Sequence, residues 1–303
     1  MFKIWILTSE APDDESIIDR SSLVSEGISG GQYENIKLHD ELKAIGFNVK
    51  IINPNKISVR DNFIICDNRQ IDIPDIIILR TVRGNNITIL RSLKNLGIKF
   101  INNVDSHFIC GNKPKQLELL SEFKIDIPKT KIIDLPFNDD ILNDIIFPIV
   151  VKPIFSQRGE LVELCRSPED IYVHCRKIQN RFQNQRHVIF QEFIDGPTIV
   201  VWVIDGVPIV AQIRYSKEGI DFFVSNRRDD GVRLKYSIND DLHNLISKAT
   251  LALDIKIAKI DILKSKDGYK ICEINSPGGF SGRDEYFGAN HARDIAAYIR
   301  SIL

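Results

Sequence analysis

Residues 259–279 read KIDILKSKDGYKICEINSPGG, and this stretch decides the fold expected for the chain. Apolar and polar residues alternate on both sides of a polar break at residues 265–268, a pattern typical of two strands joined by a turn. Glu273 and Asn275 share one face of the second strand because strand side chains alternate, and antiparallel pairing would bring Asp261 opposite them. The stretch therefore predicts a hairpin with three oxygen ligands on one side.

Two carboxylates and an amide are suitable ligands for Mg²⁺. This ion commonly takes one or two carboxylates from the protein and leaves its other positions to water and substrate phosphates. An ordinary hairpin with solvated acidic side chains is the alternative for the strand pair alone. The turn at residues 276–279 favours a ligand site, because a rigid turn with few side chains lets the backbone approach a bound molecule closely.

The composition indicates a globular protein of two or three packed units, since 43% of its 303 residues are hydrophobic and 27% are charged. The formal net charge of −1 gives no indication of a nucleic-acid or membrane partner, so any phosphate site is expected to be local. No signal-peptide pattern and no apolar run of roughly 18 residues occur, so a cytoplasmic location is expected. The five cysteines lack metal-site spacing, which favours reduced thiols.

The first unit, residues 1–105, has the pattern of a parallel α/β domain. Strand patterns at 2–7, 46–53 and 75–79 flank a helical pattern at 33–45.

Two segments of this unit are candidates for substrate binding. The acidic stretch at residues 9–29 is either a substrate loop or a disordered insertion, since it is longer than most connections. Arg80 and Arg83 follow a strand, at the edge where open α/β sheets bind ligands. They would bind a carboxylate or a phosphate bidentately, and a solvated turn is the alternative.

The second unit, residues 106–187, contains two lysines of interest. Lys113 stands at the start of a helical pattern, and Lys152 ends a buried-looking apolar run, where its charge must be solvated or paired with an anion. The turn at residues 154–159 would fold over phosphates through its backbone N–H groups. A plain hairpin is the alternative, because the turn has one glycine and no Walker-type spacing.

The third unit, residues 188–303, contains the hairpin and a polar loop at residues 215–233. The loop carries Asn226 and Arg228 among other donors but no interleaved aromatic residues, which favours phosphate over stacked bases. A solvated basic loop is the alternative. The C-terminal pattern predicts an amphipathic helix at residues 291–302.

The order of these residues resembles the ATP-grasp carboxylate–amine ligases, and within them the ribosomal-protein glutamate ligases and the lysine-biosynthesis carrier-protein ligases. The resemblance runs from about residue 75 to the end and is most specific at Asp261 and at Glu273-Ile-Asn275. It implies an α/β protein with the ATP-grasp fold. The three units would be an N-terminal parallel α/β (pre-ATP-grasp) domain, a central lid subdomain, and a C-terminal antiparallel-sheet subdomain with the metal site.

The resemblance also implies the nucleotide site. Lys113 and Lys152 would hold the α- and β-phosphates of ATP, and residues 192–194 would contact adenine at a hinge. The implied nucleotide-binding residues are Lys113, Lys152, Ser156, Gln157, Gly159, Gln191, Glu192, Phe193, Ile194 and Thr198. The sequence departs from the family where a glycine-rich loop is reduced to Ser156-Gln157-Arg158-Gly159, and where Thr198 replaces an acid that would bind ribose.

The resemblance assigns the reacting groups as well. Asp261, Glu273 and Asn275 would hold two Mg²⁺ ions, with Mn²⁺ as an alternative metal, and Asn226 and Arg228 would steady the γ-phosphoryl group. Arg80, Arg83 and Arg283 are the candidates for binding the carboxylate substrate. Val200 stands where the family has an arginine, which predicts a second substrate different from that of the ribosomal-protein ligases.

The implied activity is ATP-dependent. A substrate carboxylate takes the γ-phosphoryl group, and an amine then displaces phosphate to form an amide. The partners would be an amino acid or peptide carboxylate and an amine acceptor, with no nucleic acid and no membrane, and a homo-oligomer is left open. The alternatives are an ester- or thioester-forming ligase, a ligase of D-amino acids, and a regulatory protein that binds ATP without turnover.

Overall fold

The computed structural model describes residues 1–10, 29–82, 86–156, 159–216, 231–280 and 287–303. Its N-terminal part contains a sheet of four parallel strands, which confirms the predicted α/β unit. The strands are β1 (Lys3–Leu7), β2 (Asn48–Ile52), β6 (Ile76–Leu79) and β7 (Lys99–Ile101), in the spatial order β2–β1–β6–β7. Every residue of β6 is buried, as expected for a parallel strand that is covered on both faces.

The described residues of this unit include the helices α1 (Gly30–Ala44) and α2 (Ile87–Asn95). Helix α1 begins three residues before its predicted start because Ser29 and Gln32 form a capping box, in which the Ser29 hydroxyl accepts from the Gln32 backbone.

An antiparallel sheet that the sequence analysis did not predict lies between β2 and β6 in the chain. Its strands are β3 (Ile57–Arg60), β4 (Phe63–Cys66) and β5 (Arg69–Ile71), and a short 3₁₀ helix (Pro54–Lys56) precedes them. The connecting turns place Asp61, Asp67 and Asn68 at φ angles of 52°, 48° and 63°. Asp and Asn tolerate this left-handed region better than most residues, so these side chains were the available signal for the hairpins.

The central part has a four-stranded antiparallel sheet in the order β10–β9–β11–β8. Its elements are α3 (Val104–Cys110), α4 (Lys113–Glu122), β8 (Thr130–Asp134), a 3₁₀ helix (Asp139–Asp144), β9 (Ile149–Pro153), β10 (Glu163–Cys165), α5 (Pro168–Arg181) and β11 (His187–Glu192). Strand β11 begins at the predicted boundary between the second and third units and pairs with β8 and β9. The division into three units stays a prediction.

The C-terminal part has a five-stranded antiparallel sheet in the order β14–β13–β12–β15–β16. Its elements are β12 (Thr198–Ile204), β13 (Val207–Ser216), β14 (Gly231–Lys235), α6 (Asp240–Ala252), β15 (Ile257–Ser265), β16 (Gly268–Asn275) and α7 (His291–Ser301). The sequence TIVVWVI of the central strand β12 is almost wholly buried, since both of its faces are covered.

The two faces of β12 pack against different parts of the chain. Ile199 and Val201 belong to the hydrophobic core under α6, whereas Val200 and Trp202 pack with Ile4 and other residues of the N-terminal unit. Residues opposite Val200 in neighbouring strands therefore point toward the N-terminal unit, because paired residues of antiparallel strands share a face.

The cysteines and the apolar character of the helices bear on two expectations drawn from composition. None of the five cysteines forms a disulfide bond, and Cys110, Cys165 and Cys175 are buried. No helix in the described ranges combines the length and the apolar character that crossing a membrane requires.

Candidate active site

The predicted hairpin is present, and it brings the two predicted carboxylate ligands together. Strands β15 and β16 are antiparallel, and Asp261 lies directly opposite Glu273. The register shifts after Asp261, so that Cys272 is an extra residue on β16. Asn275 is two residues beyond Glu273 on the same strand and therefore shares its face.

The turn after β16 comes close to β15. Gly278 has a φ of +73°, and a Cβ built on it would lie 2.2 Å from Cβ of Lys259. Both facts require glycine at this position, since a side chain would be strained and would collide with the strand. The backbone therefore passes next to the predicted ligands, as the glycine-rich sequence indicated.

The donor set fits Mg²⁺. Asp261 is only 4% exposed, and its Oδ1 has no hydrogen-bond partner among the described residues. A buried carboxylate oxygen without a partner is costly unless a cation or a proton satisfies it. The described residues contain no group of three or more His, Cys, Asp or Glu side chains arranged for a metal, so the ligands would be the two carboxylates, the Asn275 amide and phosphate oxygens.

Lys113 lies beside this hairpin. It is the first residue of α4, whose N-cap Asn112 accepts from the Lys115 backbone. The Lys113 Nζ is 3.6 Å from Glu273 Oε1 and donates to the backbone oxygen of Ser156 at 3.2 Å. One lysine thus contacts both a predicted metal ligand and the loop predicted to cover the phosphates.

Lys152 is a buried cation with a neutral partner. It is 5% exposed at the end of β9, and its Nζ donates to Gln191 Oε1 at 2.9 Å. Gln191 in turn donates to Thr130 Oγ1 at 3.0 Å, which orients its amide. Within the described part of the chain no carboxylate forms an ion pair with Lys152, so its charge is left for an anion to neutralise.

These groups converge around one thiol. Burial raises the pKa of Cys272, and the charges of Lys152, Glu273, Asp261 and Lys113 all act on it. We call these four charged residues the lysine–carboxylate cluster. Two ammonium groups beside two carboxylates are the charges that a metal-bound phosphate requires.

The predicted adenine hinge follows β11. Glu192 accepts from the Lys129 backbone at 2.9 Å and from Lys270 Nζ at 2.8 Å, so its carboxylate joins the central sheet to β16. Burial raises the pKa of Glu192, but the hydrogen bonds from Lys270 and Lys129 outweigh it and lower the pKa overall. Phe193 is half-buried, while Ile194 and Thr198 are buried.

Arg80 lies at the end of β6 as predicted, and its charge is paired. Its Nη2 donates to Glu34 Oε2 at 2.5 Å, its Nε donates to Asn35 Oδ1 at 3.1 Å, and the guanidinium lies 5.1 Å from the ring centre of Phe280. Nη1 is buried without a hydrogen-bond partner among the described residues. This arrangement shows Arg80 holding the segment after β16, and its role toward a substrate carboxylate stays a prediction.

The remaining predicted site residues lie in or beside ranges that the structure does not describe. Ser156 and Gly159 stand on either side of residues 157–158, in the turn after β9. Five predicted site residues lie outside the described residues: Gln157, Asn226, Arg228, Arg83 and Arg283.

The sequence analysis missed Arg214 on β13. This arginine is fully buried and lies opposite Thr198 of β12. It shares a face of β13 with Gln212. Val200 of β12 pairs with Gln212 on one side and with Asp261 on the other, so these residues form one row across the sheet. With its amide oxygen turned toward Arg214, Gln212 accepts from the arginine Nε at 2.7 Å. The alternation Ala211-Gln212-Ile213-Arg214 was a signal for one polar face, but its alignment with Asp261 depends on the register of three strands.

The chain is similar in sequence to known proteins. Residues 110–299 match the profile of the RimK-like ATP-grasp domain. The chain is 30% identical over 199 residues to the tetrahydromethanopterin:alpha-L-glutamate ligase of Methanococcus maripaludis, a match that covers 64% of this chain and 66% of that protein. It is 26% identical over 283 residues to a probable alpha-L-glutamate ligase of Legionella pneumophila, covering 88% of this chain and 91% of that one.

The fold is also that of a solved ligase. The ATP-grasp ligase PsnB, in a structure with a phosphomimetic variant of its minimal precursor, Mg and ADP, superimposes with a TM-score of 0.71 at 17% identity. The superposition covers 98% of this chain and 97% of PsnB.

Proposed function

Because this chain belongs to the RimK-like ATP-grasp family and is an ATP-dependent carboxylate–amine ligase, we propose that the lysine–carboxylate cluster is its active site. ATP and Mg²⁺ are the cofactors of this activity. The residue roles, the presence of two metal ions and the nature of the substrates are part of the proposal.

The burial of Lys152 is the observation that carries it. A lysine that is 5% exposed and bound to a neutral amide requires an anion to compensate its buried charge. A nucleotide phosphate supplies that anion. Gln191 and Thr130 hold the ammonium group in place before the phosphate arrives, so little reorganisation is needed on binding.

Asp261, Glu273 and Asn275 would hold two Mg²⁺ ions together with phosphate oxygens. The unpartnered Oδ1 of Asp261 and the shared face of Glu273 and Asn275 support this assignment. Bound Mg²⁺ supplies positive charge that neutralises the phosphoryl oxygens during transfer. Lys113 adds a second ammonium group, which contacts both Glu273 and the Ser156 backbone oxygen.

The proposed reaction has two steps. An oxygen of the substrate carboxylate attacks the γ-phosphorus, the bond to the bridging oxygen breaks, and an acyl phosphate and ADP result. The amine nitrogen then attacks the acyl carbon, loses a proton, and displaces phosphate to leave an amide. The protein contributes positioning and charge neutralisation and needs no nucleophile of its own.

For the substrates we propose an amino acid and a carboxylate on a small molecule or peptide. The names of the relatives make L-glutamate the first amino acid to test. The family membership favours this ligase over a regulatory protein that binds ATP without turnover. At position 200, where the family resemblance implies an arginine, this chain has an apolar valine that is fully buried in β12 and offers no charge to an acceptor.

The experiment is a panel of amino acids and carboxylate acceptors incubated with the protein, ATP and Mg²⁺. ADP and phosphate release should require one acid–amine pair, and mass spectrometry should find a product equal to the sum of the pair minus water. Treatment with hydroxylamine distinguishes an amide, which resists it, from an ester or thioester. ATP hydrolysis at one unchanged rate with every pair would contradict the proposal.

A further inference from the structure

We propose that His107 is a positioning residue that, through the hydroxyl group of Ser276, sets the position of the turn following the metal-binding strand. The inference rests on the proposed function, because it concerns the same site. Its basis is a partly buried chain of hydrogen bonds that the sequence analysis did not predict and that the proposed reaction does not itself use.

Ser276 is held from two sides. Its Oγ accepts from Asn102 Nδ2 at 2.8 Å and lies 3.2 Å from His107 Nδ1. It directly follows Asn275, the third predicted metal ligand, and it precedes the Pro277-Gly278-Gly279 turn. A displacement of Ser276 therefore moves the backbone of Asn275.

The chemistry of the partners determines which tautomer of His107 is present. Its Nε2 is 3.3 Å from the backbone oxygen of Val82, which can only accept, so Nε2 carries the proton. In the neutral ring Nδ1 is then an acceptor, and the Ser276 hydroxyl donates to it. Burial lowers the pKa of His107, and the positive charge of Arg80 lowers it further. The hydrogen bond that His107 donates to the Val82 oxygen raises the pKa but does not outweigh burial, in agreement with a neutral ring.

Asn102 is the fixed end of the chain. Its Oδ1 accepts from the backbone nitrogens of Lys256 and Ile257 at 2.8 and 2.7 Å, and its Nδ2 also donates to the Ile257 oxygen at 2.7 Å. This amide therefore connects the start of β15 to the residue after the end of β16. Asn102 is completely buried, so its position follows that of the sheet.

His107 is the end that reaches the substrate side. Val82 lies between Arg80 and Arg83 in the chain, and these two arginines are predicted to bind the carboxylate. The ring of His107 thus joins the segment predicted to hold the acid to the turn beside the predicted metal ligands. The distance between the acid and the transferred phosphoryl group depends on these two segments, so a loosened ring should slow the transfer more than it weakens nucleotide binding.

Two substitutions of His107 separate the two bonds. In His107→Asn the amide oxygen takes the place of Nδ1 and still accepts from Ser276, whereas in His107→Gln the amide nitrogen takes the place of Nε2 and still donates to Val82. Ser276→Ala removes the hydroxyl alone. Ser265→Ala is the matched control, because the Ser265 hydroxyl also makes two bonds, to Gly268 and Asp267, but at the distal turn of the same hairpin.

The measurements are kcat, KM for each substrate, the Mg²⁺ concentration for half-maximal rate, the rise in unfolding temperature caused by Mg²⁺ and ADP, and the urea unfolding midpoint. Ser276→Ala and His107→Gln should lower kcat about tenfold, as the loss of one positioned hydrogen bond does, and raise the Mg²⁺ requirement. Because either change leaves a buried polar group without its partner, their urea midpoints should lie somewhat below that of Ser265→Ala, and the fall in kcat should exceed what the lost stability explains. His107→Asn should retain more of the wild-type kcat than His107→Gln.

The proposal is overturned if Ser276→Ala is no slower than Ser265→Ala. It is also overturned if both His107 variants lose activity only in proportion to a lowered unfolding midpoint, because that pattern indicates a purely structural histidine. Failure of the proposed function would look different. The wild-type protein would then show no Mg²⁺-dependent stabilisation by ADP and no phosphate release with any acid–amine pair.

Discussion

The ammonium nitrogen of Lys113 lies 3.6 Å from a carboxylate oxygen of Glu273, and both side chains are mostly shielded from water. The two residues come from the start of α4 and the end of β16. Without ligands, each side chain neutralises the charge of the other. In the proposed reaction the lysine would instead bind a phosphate, and the carboxylate would bind Mg²⁺. This ion pair therefore links nucleotide binding to metal binding.

Lys113→Met should weaken ATP binding. A charge-assisted hydrogen bond contributes about 1.5–3 kcal/mol, so the loss corresponds to roughly a 10- to 100-fold rise in the ATP concentration required. The measurement is Kd for ATP by calorimetry. Lys115→Met is the matched control, since Lys115 is on the same helix but is exposed and paired with Glu118. Equal ATP affinities of the two variants would show that Lys113 does not bind the phosphates.

Asp261→Asn should abolish most turnover while ATP still binds. The substitution keeps the shape of the side chain and removes the charge that holds Mg²⁺, whose contribution of several kcal/mol acts mainly in the transition state. We expect kcat to fall at least about 100-fold. Steady-state phosphate release measures this, with Asp267→Asn at the exposed tip of the same hairpin as the control. Wild-type turnover in Asp261→Asn would exclude this metal site.

Lys152→Met should remove the stabilisation that ATP confers. The side chains have similar length, and replacing a buried charge by an apolar group is often neutral for folding, although Gln191 loses its donor. In thermal unfolding, saturating ATP and Mg²⁺ should raise the midpoint of the wild type but leave that of the variant unchanged. A shift of wild-type size in Lys152→Met would show that this lysine does not bind the nucleotide.

Breaking the Arg80–Glu34 pair should destabilise the protein. The side chains are 5% and 4% exposed, and Glu34 also accepts from the Phe280 backbone nitrogen at 2.6 Å. Removing one member of a buried pair costs about 3–5 kcal/mol, because the other charge is left without compensation. Urea unfolding of Arg80→Met, Glu34→Gln and the double variant measures the coupling. The double variant should lose clearly less than the sum, and strict additivity would contradict a buried ion pair.

The buried thiols should be inert near neutral pH and should make folding sensitive to alkali. Burial raises the pKa of Cys110, Cys165 and Cys175 from 9.0 to about 12. A thiol whose pKa is raised by folding favours the folded state fully below pH 9, and this contribution is lost as the pH rises toward 12. Iodoacetamide at pH 8 should alkylate these three cysteines only after unfolding, as peptide mass spectrometry can show. Rapid labelling in the native protein would contradict their burial.

The sequence alone predicted the local structure well where a pattern is local. The alternation on both sides of residues 265–268 predicted the β15–β16 hairpin, and the apolar run before Lys152 predicted a buried strand, because side-chain direction in a strand follows the period of the chain itself. The helix patterns predicted α1, α4 and α7 to within a few residues, since capping residues such as Ser29 decide where the terminal turn begins.

Relations between distant segments were decided only by the tertiary structure. The bulge at Cys272, the partner of Lys152, and the alignment of Arg214 with Thr198 depend on strand register and on which sheets pack together. The three short strands β3–β5 were missed because their signal is a few turn residues and not a period. The sequence by itself determined which charges this protein carries and where its longer strands lie. The packing of the N-terminal unit on the C-terminal sheet decided that His107, Asn102 and Arg80 contact the segment after β16. No local pattern encodes a contact between residues so far apart in the chain.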